Sequence, residues 1–226
     1  MSTKLERVYN AVKQYGVFDL GITFFENTHP KSTLVLEVVK SIGQVYDQIK
    51  LNYLLNGLSN GYDTEKKLDE LYNYIRNPER AFLVSDCFKK LMLAQSPVVC
   101  CILGLMLSDS MRQGAEFDSK DSIVMNGIVS FTDYDLRNFQ DIMSKRYDVS
   151  TIDGYPRIDS TLFPDDRREE LELTLELCIQ NRILRRAVGM IEEGNLSINL
   201  VQYGDIAERL GIYVARARTQ LKYGEN

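Results

Sequence analysis

The sequence contains no tryptophan, one histidine and five prolines among 226 residues. Low proline content suits a helical protein, because proline interrupts helices and central strands. The one histidine, His29, lies beside Pro30 in a predicted loop, so any catalytic triad or zinc site that needs histidine would depend on it. We interpret His29 as a surface loop residue and predict neither a histidine-dependent active site nor a zinc site.

Cysteine pairs with metal-binding or redox spacing are also missing. The four cysteines form no CxxC motif, and three of them lie in or near the most apolar stretch: Cys87, Cys100 and Cys101, with Cys178 further along. Free cysteine behaves as a small hydrophobic residue and is commonly buried. We therefore predict buried thiols in a reducing compartment.

Long apolar segments are absent as well. No run approaches the roughly 20 apolar residues that a membrane-spanning helix needs, and the polar start MSTKLERVYN lacks the apolar region of a signal peptide. These absences predict a soluble, cytoplasmic protein without a membrane partner. The net charge of −5 and the pI near 5.1 argue against a surface that binds nucleic acid over its whole extent.

No EF-hand loop, Walker motif or G-x-G-x-x-G pattern occurs. Many aspartates stand beside turns and predicted helix starts, where capping accounts for most of them. A carboxylate metal site built from two of them stays open as an alternative. We predict no enzyme activity, no catalytic residue, no cofactor and no bound metal. The aspartates in question are Asp118, Asp121, Asp133, Asp135, Asp153, Asp159, Asp165 and Asp166.

The chain has a strongly apolar centre, residues 81–107, within a composition that is 44% apolar. Ser96-Pro97 divides this centre, and serine followed by proline is a helix-start signal. The segment from Val98 to Leu107 carries no charge, so it is apolar on all sides. A helix of that kind belongs in the middle of a hydrophobic core, and we expect the remaining helices to pack around it.

Helical spacing of apolar residues recurs along the first two thirds of the chain. Gly57 and the following SNG are expected to end one of these helices, and Thr132 with Asp135 approximates a capping box. Residues 16–27 fit either a short helix or an extended segment. The predicted helices are 3–15, 33–56, one beginning at Asp63 or Thr64, 78–94, 97–110, 123–129 and 133–145.

Residues 147–164 lack periodicity and are long for an internal loop, so we interpret them as a linker. It would separate a multi-helix domain (1–146) from a smaller unit (165–226). That unit would hold a helix over 165–187 that buries Leu171, Leu175, Cys178 and Ile179, a hairpin over 188–201, and a last helix. The predicted fold is mainly α, with a winged-helix-like C-terminal unit that contains one short β-hairpin.

The sharpest local pattern is GDIAERLGIYVARARTQLK, residues 204–222, which resembles a helix-turn-helix motif. Ala207 would lie where two helices cross closely, and Gly211 would form the turn with a left-handed backbone. The second helix would present Arg216, Arg218 and Lys222, with Arg209 just before the turn. Residues 181–226 hold seven Lys/Arg against five Asp/Glu. A plain packing helix is the alternative explanation of the same residues.

The order of the C-terminal elements supports a second resemblance. A helix containing LELCIQNRIL, a two-stranded wing and a closing helix after Tyr203-Gly204 follow one another. This layout, together with IVMNGIVSFTDYDLRNFQDIM (123–143), resembles the abortive-infection alpha family of bacterial and prophage proteins over residues 120–190. The shared segment carries no catalytic motif, so the resemblance implies a non-enzymatic role in defence or prophage biology.

These observations lead to one functional hypothesis and one alternative. The hypothesis is a non-enzymatic helical protein that binds a protein partner, of phage or bacterial defence origin. The alternative is a DNA-binding transcriptional regulator that uses residues 204–222. The residues that would contact nucleic acid are Arg209, Arg216, Arg218 and Lys222. The thirteen tyrosines leave a homodimer open, because aromatic residues are enriched at interfaces.

Overall fold

A computed structural model of the chain describes residues 2–13, 37–60, 63–113, 118–144, 147–149, 156–187 and 200–224. The described part is mainly helical, as predicted, with a small antiparallel sheet. The predictions for residues 16–27 and for His29 lie outside it. The helices are α1 (Ser2–Lys13), α2 (Glu37–Ser59), α3 (Thr64–Tyr74), α4 (Pro78–Leu93), α5 (Pro97–Gln113), α6 (Ser119–Gly127), α7 (Asp133–Ile142), α8 (Arg168–Gln180) and α9 (Asp205–Gly224).

The chain divides into two compact units. The first comprises residues 1–118 and 216–226, and the second comprises residues 119–215. This division differs from the one predicted from sequence, because residues 147–164 lie inside the second unit and contribute strands there. The linker interpretation missed them because strands of two and three residues are too short to show a period.

Helix α5 is the centre of the first unit. Every residue from Val98 to Leu107 is buried, which confirms the prediction from its uncharged sequence. The hydroxyl of Ser96 accepts a hydrogen bond from the Val99 amide at 3.3 Å, so Ser96 caps the helix as expected. Removing this many apolar side chains from water is the main source of stability for the unit.

Helices α2 and α5 cross in backbone contact at two glycines. A Cβ on Gly57 would lie 2.0 Å from the carbonyl oxygen of Cys101, and one on Gly104 would lie 2.0 Å from that of Leu54. The predicted helix end at Gly57 is therefore wrong, since α2 continues to Ser59. This glycine permits a close approach between helices and does not break its helix.

Short-range signals also mark the starts of α3, α4 and α7. Asp63 accepts a hydrogen bond from the Glu65 amide at 2.9 Å, and Asn77 accepts one from the Glu79 amide at 2.8 Å. The Thr132 hydroxyl accepts from the Asp135 amide while the Asp135 carboxylate accepts from the Thr132 amide, so the predicted capping box is confirmed.

The second unit contains the sheet. Its strands are β1 (Asp148–Val149), β2 (Arg157–Asp159), β3 (Arg185–Arg186) and β4 (Leu200–Gln202), in the order β1-β2-β4-β3 with every pair antiparallel. Ile158 lies opposite Val201 at its centre, and both are buried. Short 3-10 turns at Ile128–Ser130 and Ser160–Leu162 complete the unit.

Two predictions for this region need correction or fall outside the described residues. The helix predicted over 165–187 ends at Gln180, because Arg182 has a φ of 61° and Arg185-Arg186 form strand β3. Of the four residues predicted on its buried side, Leu171, Leu175 and Cys178 are buried, whereas Ile179 is half-buried. Most of the hairpin predicted at 188–201 lies outside the described part of the chain.

Candidate interaction surface

The residues predicted to bind nucleic acid lie on α9, and this helix contradicts the helix-turn-helix prediction. It runs without interruption from Asp205 to Gly224, straight through Gly211. The space where a Cβ on Gly211 would stand is open, so no close crossing requires glycine there. The pattern resembled a turn because glycine is frequent in turns, but a single glycine is also tolerated inside a helix at a cost of about 1 kcal/mol.

Two of the predicted DNA-binding arginines form ion pairs within the protein. In the second unit, Arg209 Nη1 donates to Asp121 Oδ1 at 2.6 Å. In the first unit, Arg216 donates to both oxygens of Asp109, at 2.5 and 3.2 Å. A bidentate arginine–carboxylate pair is a strong, directional interaction. Both guanidinium groups are thus already neutralised by a carboxylate.

The four basic residues also do not form a single stripe. At about 100° per residue, Arg209 and Arg216 fall on one side of α9, while Arg218 and Lys222 fall on nearly the opposite side. Arg218 is half-buried and Lys222 is exposed. A helix in the major groove presents its base-reading side chains on one face. The placement of these residues therefore gives little support to groove recognition.

Asp159 and Asp165 have structural partners, and the cysteine thiols are buried. No group of three or more His, Cys, Asp or Glu side chains among the described residues could hold a metal ion. Asp159 caps a 3-10 turn through the Thr161 amide at 2.9 Å, and Asp165 pairs with Arg168 at 2.8 Å. All four thiols are buried, as predicted, and burial raises the pKa of Cys101 to about 12.

Lys50 is the most unusual ionisable residue of the first unit. Its residue surface is only 7% exposed, and its Nζ donates to the carbonyl oxygen of Met92 at 2.6 Å. That carbonyl belongs to the last turn of α4, where carbonyl groups lack partners within the helix and the helix dipole is negative. Burial lowers the pKa of Lys50 and raises the pKa of the neighbouring Asp47. Lys50 therefore has a structural role: it caps the C-terminal end of α4.

Helix α4 carries an unusual solvent-facing stripe. Phe82 is 59% exposed and Leu93 is 68% exposed. They differ by only about 20° around the helix axis at 100° per residue, while the opposite face packs into the core. Between them on the same stripe stand Asp86 and Lys89. We name this set, with Glu79 at its start, the α4 seam: Glu79, Phe82, Asp86, Lys89 and Leu93. The core-facing residues include Ala81, Val84, Cys87, Phe88 and Leu91.

Helix α2 adds exposed apolar surface next to the Leu93 end of the seam. The Lys50 Nζ that contacts the Met92 carbonyl also lies 4.6 Å from the centroid of the Tyr46 ring. Tyr46 is therefore close to the end of α4, and both it and Ile49 are exposed. Contiguous exposed apolar side chains with polar neighbours are typical of protein-binding surfaces.

The α4 seam is absent from the predictions made from sequence, although the sequence carries a signal for it. Residues 81–107 were interpreted as core because of their high apolar content. A helical projection of residues 78–93 separates Phe82 and Leu93 from Val84, Phe88 and Leu91. Two large apolar residues on the charged side of an amphipathic helix were the available indication.

Comparison with known protein families, with curated proteins and with solved structures finds no match to this chain. The resemblance to the abortive-infection alpha family over residues 120–190 accordingly stays a prediction. Among the described residues, no helix has both the length and the apolar character needed to cross a membrane. The candidate site is thus defined by its geometry: a mixed apolar and charged helix face on the first unit.

Proposed function

We propose that this chain is a non-enzymatic protein-interaction protein that binds a protein partner through the α4 seam. The observation that carries the proposal is the exposure of Phe82 and Leu93 on one solvent-facing stripe of α4. A large exposed side chain gains about 1.5–3 kcal/mol when it is fully buried. Aromatic side chains are enriched at protein interfaces, where they become buried.

A role in phage biology or bacterial defence is part of the same proposal. Its support is the sequence resemblance over residues 120–190, a range that falls within the second unit. The α4 seam lies in the first unit. The proposal therefore assigns partner binding to the first unit and leaves the family resemblance to the second.

Site-specific photocrosslinking tests the proposal. A photoreactive phenylalanine analogue is placed at Phe82, at Leu93 or, as the matched control, at Tyr134. Tyr134 is 63% exposed on α7 of the second unit. We expect discrete crosslinked products of defined mass from positions 82 and 93, in cells that naturally contain the protein, and none of the same mass from 134. Identical products from all three positions, or none from 82 and 93, would contradict the proposal.

The DNA-binding alternative has a separate measurement. Fluorescence anisotropy with a mixed pool of DNA duplexes at two salt concentrations detects binding, which should weaken steeply with salt if phosphates are contacted. Arg218→Ala and Lys222→Ala remove the two basic residues on the side of α9 opposite Arg209 and Arg216. Salt-sensitive binding that both substitutions weaken would favour the alternative. Absence of binding at low salt would remove it.

A further inference from the structure

We infer that the partner that fits the α4 seam is a second copy of this chain, packed antiparallel across a twofold axis that passes between Asp86 and Lys89. The inference rests on the proposed function, because it requires that the seam binds protein. It goes further by naming the occupant, the orientation of the two helices and the residue pairs between them.

The spacing of the seam is the first argument. Glu79, Phe82, Asp86, Lys89 and Leu93 follow one another at intervals of three, four, three and four residues. This is the repeat with which one helix faces another along a straight contact, as at the a and d positions of a coiled coil. The seam therefore has the length and register for a helix-to-helix contact of about 16 Å between Phe82 and Leu93, at 1.5 Å per residue.

The symmetry of the seam is the second argument. Phe82 and Leu93 are equally far from the midpoint between Asp86 and Lys89. In a twofold dimer each residue contacts the surface that its counterpart presents, so the interface must be self-complementary. An antiparallel pair centred on this midpoint sets Phe82 against Leu93 of the second copy at both ends, and Asp86 against Lys89 of the second copy twice in the middle.

Charge decides between the two orientations. In a parallel pair in register, Asp86 would meet its own copy and Lys89 would meet its own copy, and both contacts would be repulsive. In the antiparallel pair both contacts are attractive, and complementary charges fix register and orientation. Asp86 already pairs with Lys90 of the same helix, and its side chain is 35% exposed. Lys89 is half-buried on the same stripe as Asp86, where its ammonium group would meet Asp86 of the second copy.

The surroundings of the seam agree with this arrangement. Tyr46 on α2 lies near the Leu93 end, where Phe82 of the second copy would arrive. The twofold axis repeats this apolar cluster at the other end. Each end of the interface would then bury an aromatic ring against leucine and tyrosine, with the charged pairs between the two clusters.

A charge exchange tests the inference on the full chain. Sedimentation velocity from about 1 to about 100 μM is measured for the wild type, Asp86→Lys, Lys89→Asp and the double variant Asp86→Lys/Lys89→Asp. We expect a concentration-dependent dimer for the wild type. Each single variant creates two like-charge contacts by symmetry and should weaken the dimer roughly tenfold or more. The double variant restores both attractive contacts and should dimerise within about threefold of the wild type.

Controls separate the interface from folding. Phe82→Ser should weaken the dimer, whereas Leu173→Ser, at an exposed leucine on α8 of the second unit, should not. Circular dichroism melting checks that each variant is folded. Asp86→Lys also removes the ion pair with Lys90, so Lys89→Asp is the cleaner single change.

Two outcomes would overturn the inference. One is a wild type that stays monomeric over the whole concentration range. The other is a double variant that dimerises no more tightly than the two single variants. A monomeric wild type that still gives crosslinks from Phe82 to a different protein would refute self-association while leaving the proposed function standing. A crosslinked product of twice the chain mass supports both.

Discussion

Alanine at Gly57 or Gly104 is expected to destabilise the first unit strongly, because these glycines hold α2 and α5 in backbone contact. A Cβ on Gly57 would lie 2.0 Å from the Cys101 carbonyl oxygen and 2.9 Å from the Leu105 amide nitrogen, whereas ordinary contact begins near 3.4 Å. The obstructing atoms belong to the backbone of a buried helix and cannot rotate away. The two helices would have to move apart by more than an ångström.

The magnitude follows from two opposing terms. Overpacking a close-packed core typically costs about 1–3 kcal/mol, and occasionally more, and a contact this short belongs at the upper end. Alanine also favours the helix by about 1 kcal/mol relative to glycine. We therefore expect a net loss of about 2 kcal/mol or more in the free energy of unfolding at either position.

Urea denaturation followed by far-ultraviolet circular dichroism measures this loss, and Gly211→Ala is the matched control. Gly211 lies in α9 with nothing within 4 Å of the added Cβ, so the same chemical change should stabilise by about 0.5–1 kcal/mol. If Gly57→Ala and Gly104→Ala left stability unchanged, the close crossing of α2 and α5 would be wrong. If Gly211→Ala were destabilising, a turn at that position would regain support.

Two further predictions concern buried polar groups. Lys50→Met should reduce the free energy of unfolding by about 1–3 kcal/mol, because the Met92 carbonyl loses its hydrogen-bond donor. The control Lys66→Met, at an exposed position of α3, should change the free energy of unfolding little. Equal effects of the two substitutions would contradict the capping role of Lys50. Burial and a 2.6 Å hydrogen bond to Asp148 raise the pKa of Tyr203 above its ordinary value near 10. Its stabilising contribution is therefore complete below that value and is lost as pH rises further, so urea titrations between pH 8 and 11 should show a steeper loss for the wild type than for Tyr203→Phe. Parallel profiles would contradict this assignment.

Four helix starts were predictable from sequence because they depend on neighbouring residues. Asp63, Asn77, Ser96 and Thr132 each accept a hydrogen bond from a backbone amide two or three positions later. The capping side chain and the amides that it satisfies belong to the same turn. No knowledge of the rest of the fold is needed to recognise them.

The same reasoning failed at glycines because their role depends on what lies across the contact. Gly57 and Gly211 both interrupt an apolar pattern, and both were interpreted as stops. Each lies inside a helix, Gly57 against the backbone of α5 and Gly211 facing open space. The residues that flank a glycine in the sequence do not reveal which of these two surroundings it has. Only the position of the neighbouring helix distinguishes a glycine that a close helix crossing requires from one that is merely tolerated inside a helix.

The sheet was predictable only in small part, since its pairings join distant segments. Leu200–Gln202 pairs with Arg157–Asp159 on one side and with Arg185-Arg186 on the other. Strands of two and three residues show no alternation of polar and apolar residues that a sequence could reveal. Arg185 and Arg186 even suited the end of a helix, because basic residues favour that position.

The candidate site illustrates why a surface is harder to predict than a core. In α4 the buried residues and the exposed Phe82 and Leu93 are chemically alike, so composition assigns them all to the core. What separates them is their angle around the helix axis, and that angle has meaning only once α5 is known to lie on one side. Asp86 and Lys89 gain significance in the same way. As isolated charges they are ordinary surface residues, but midway between two exposed apolar side chains they form a pattern that an antiparallel copy of the same helix complements.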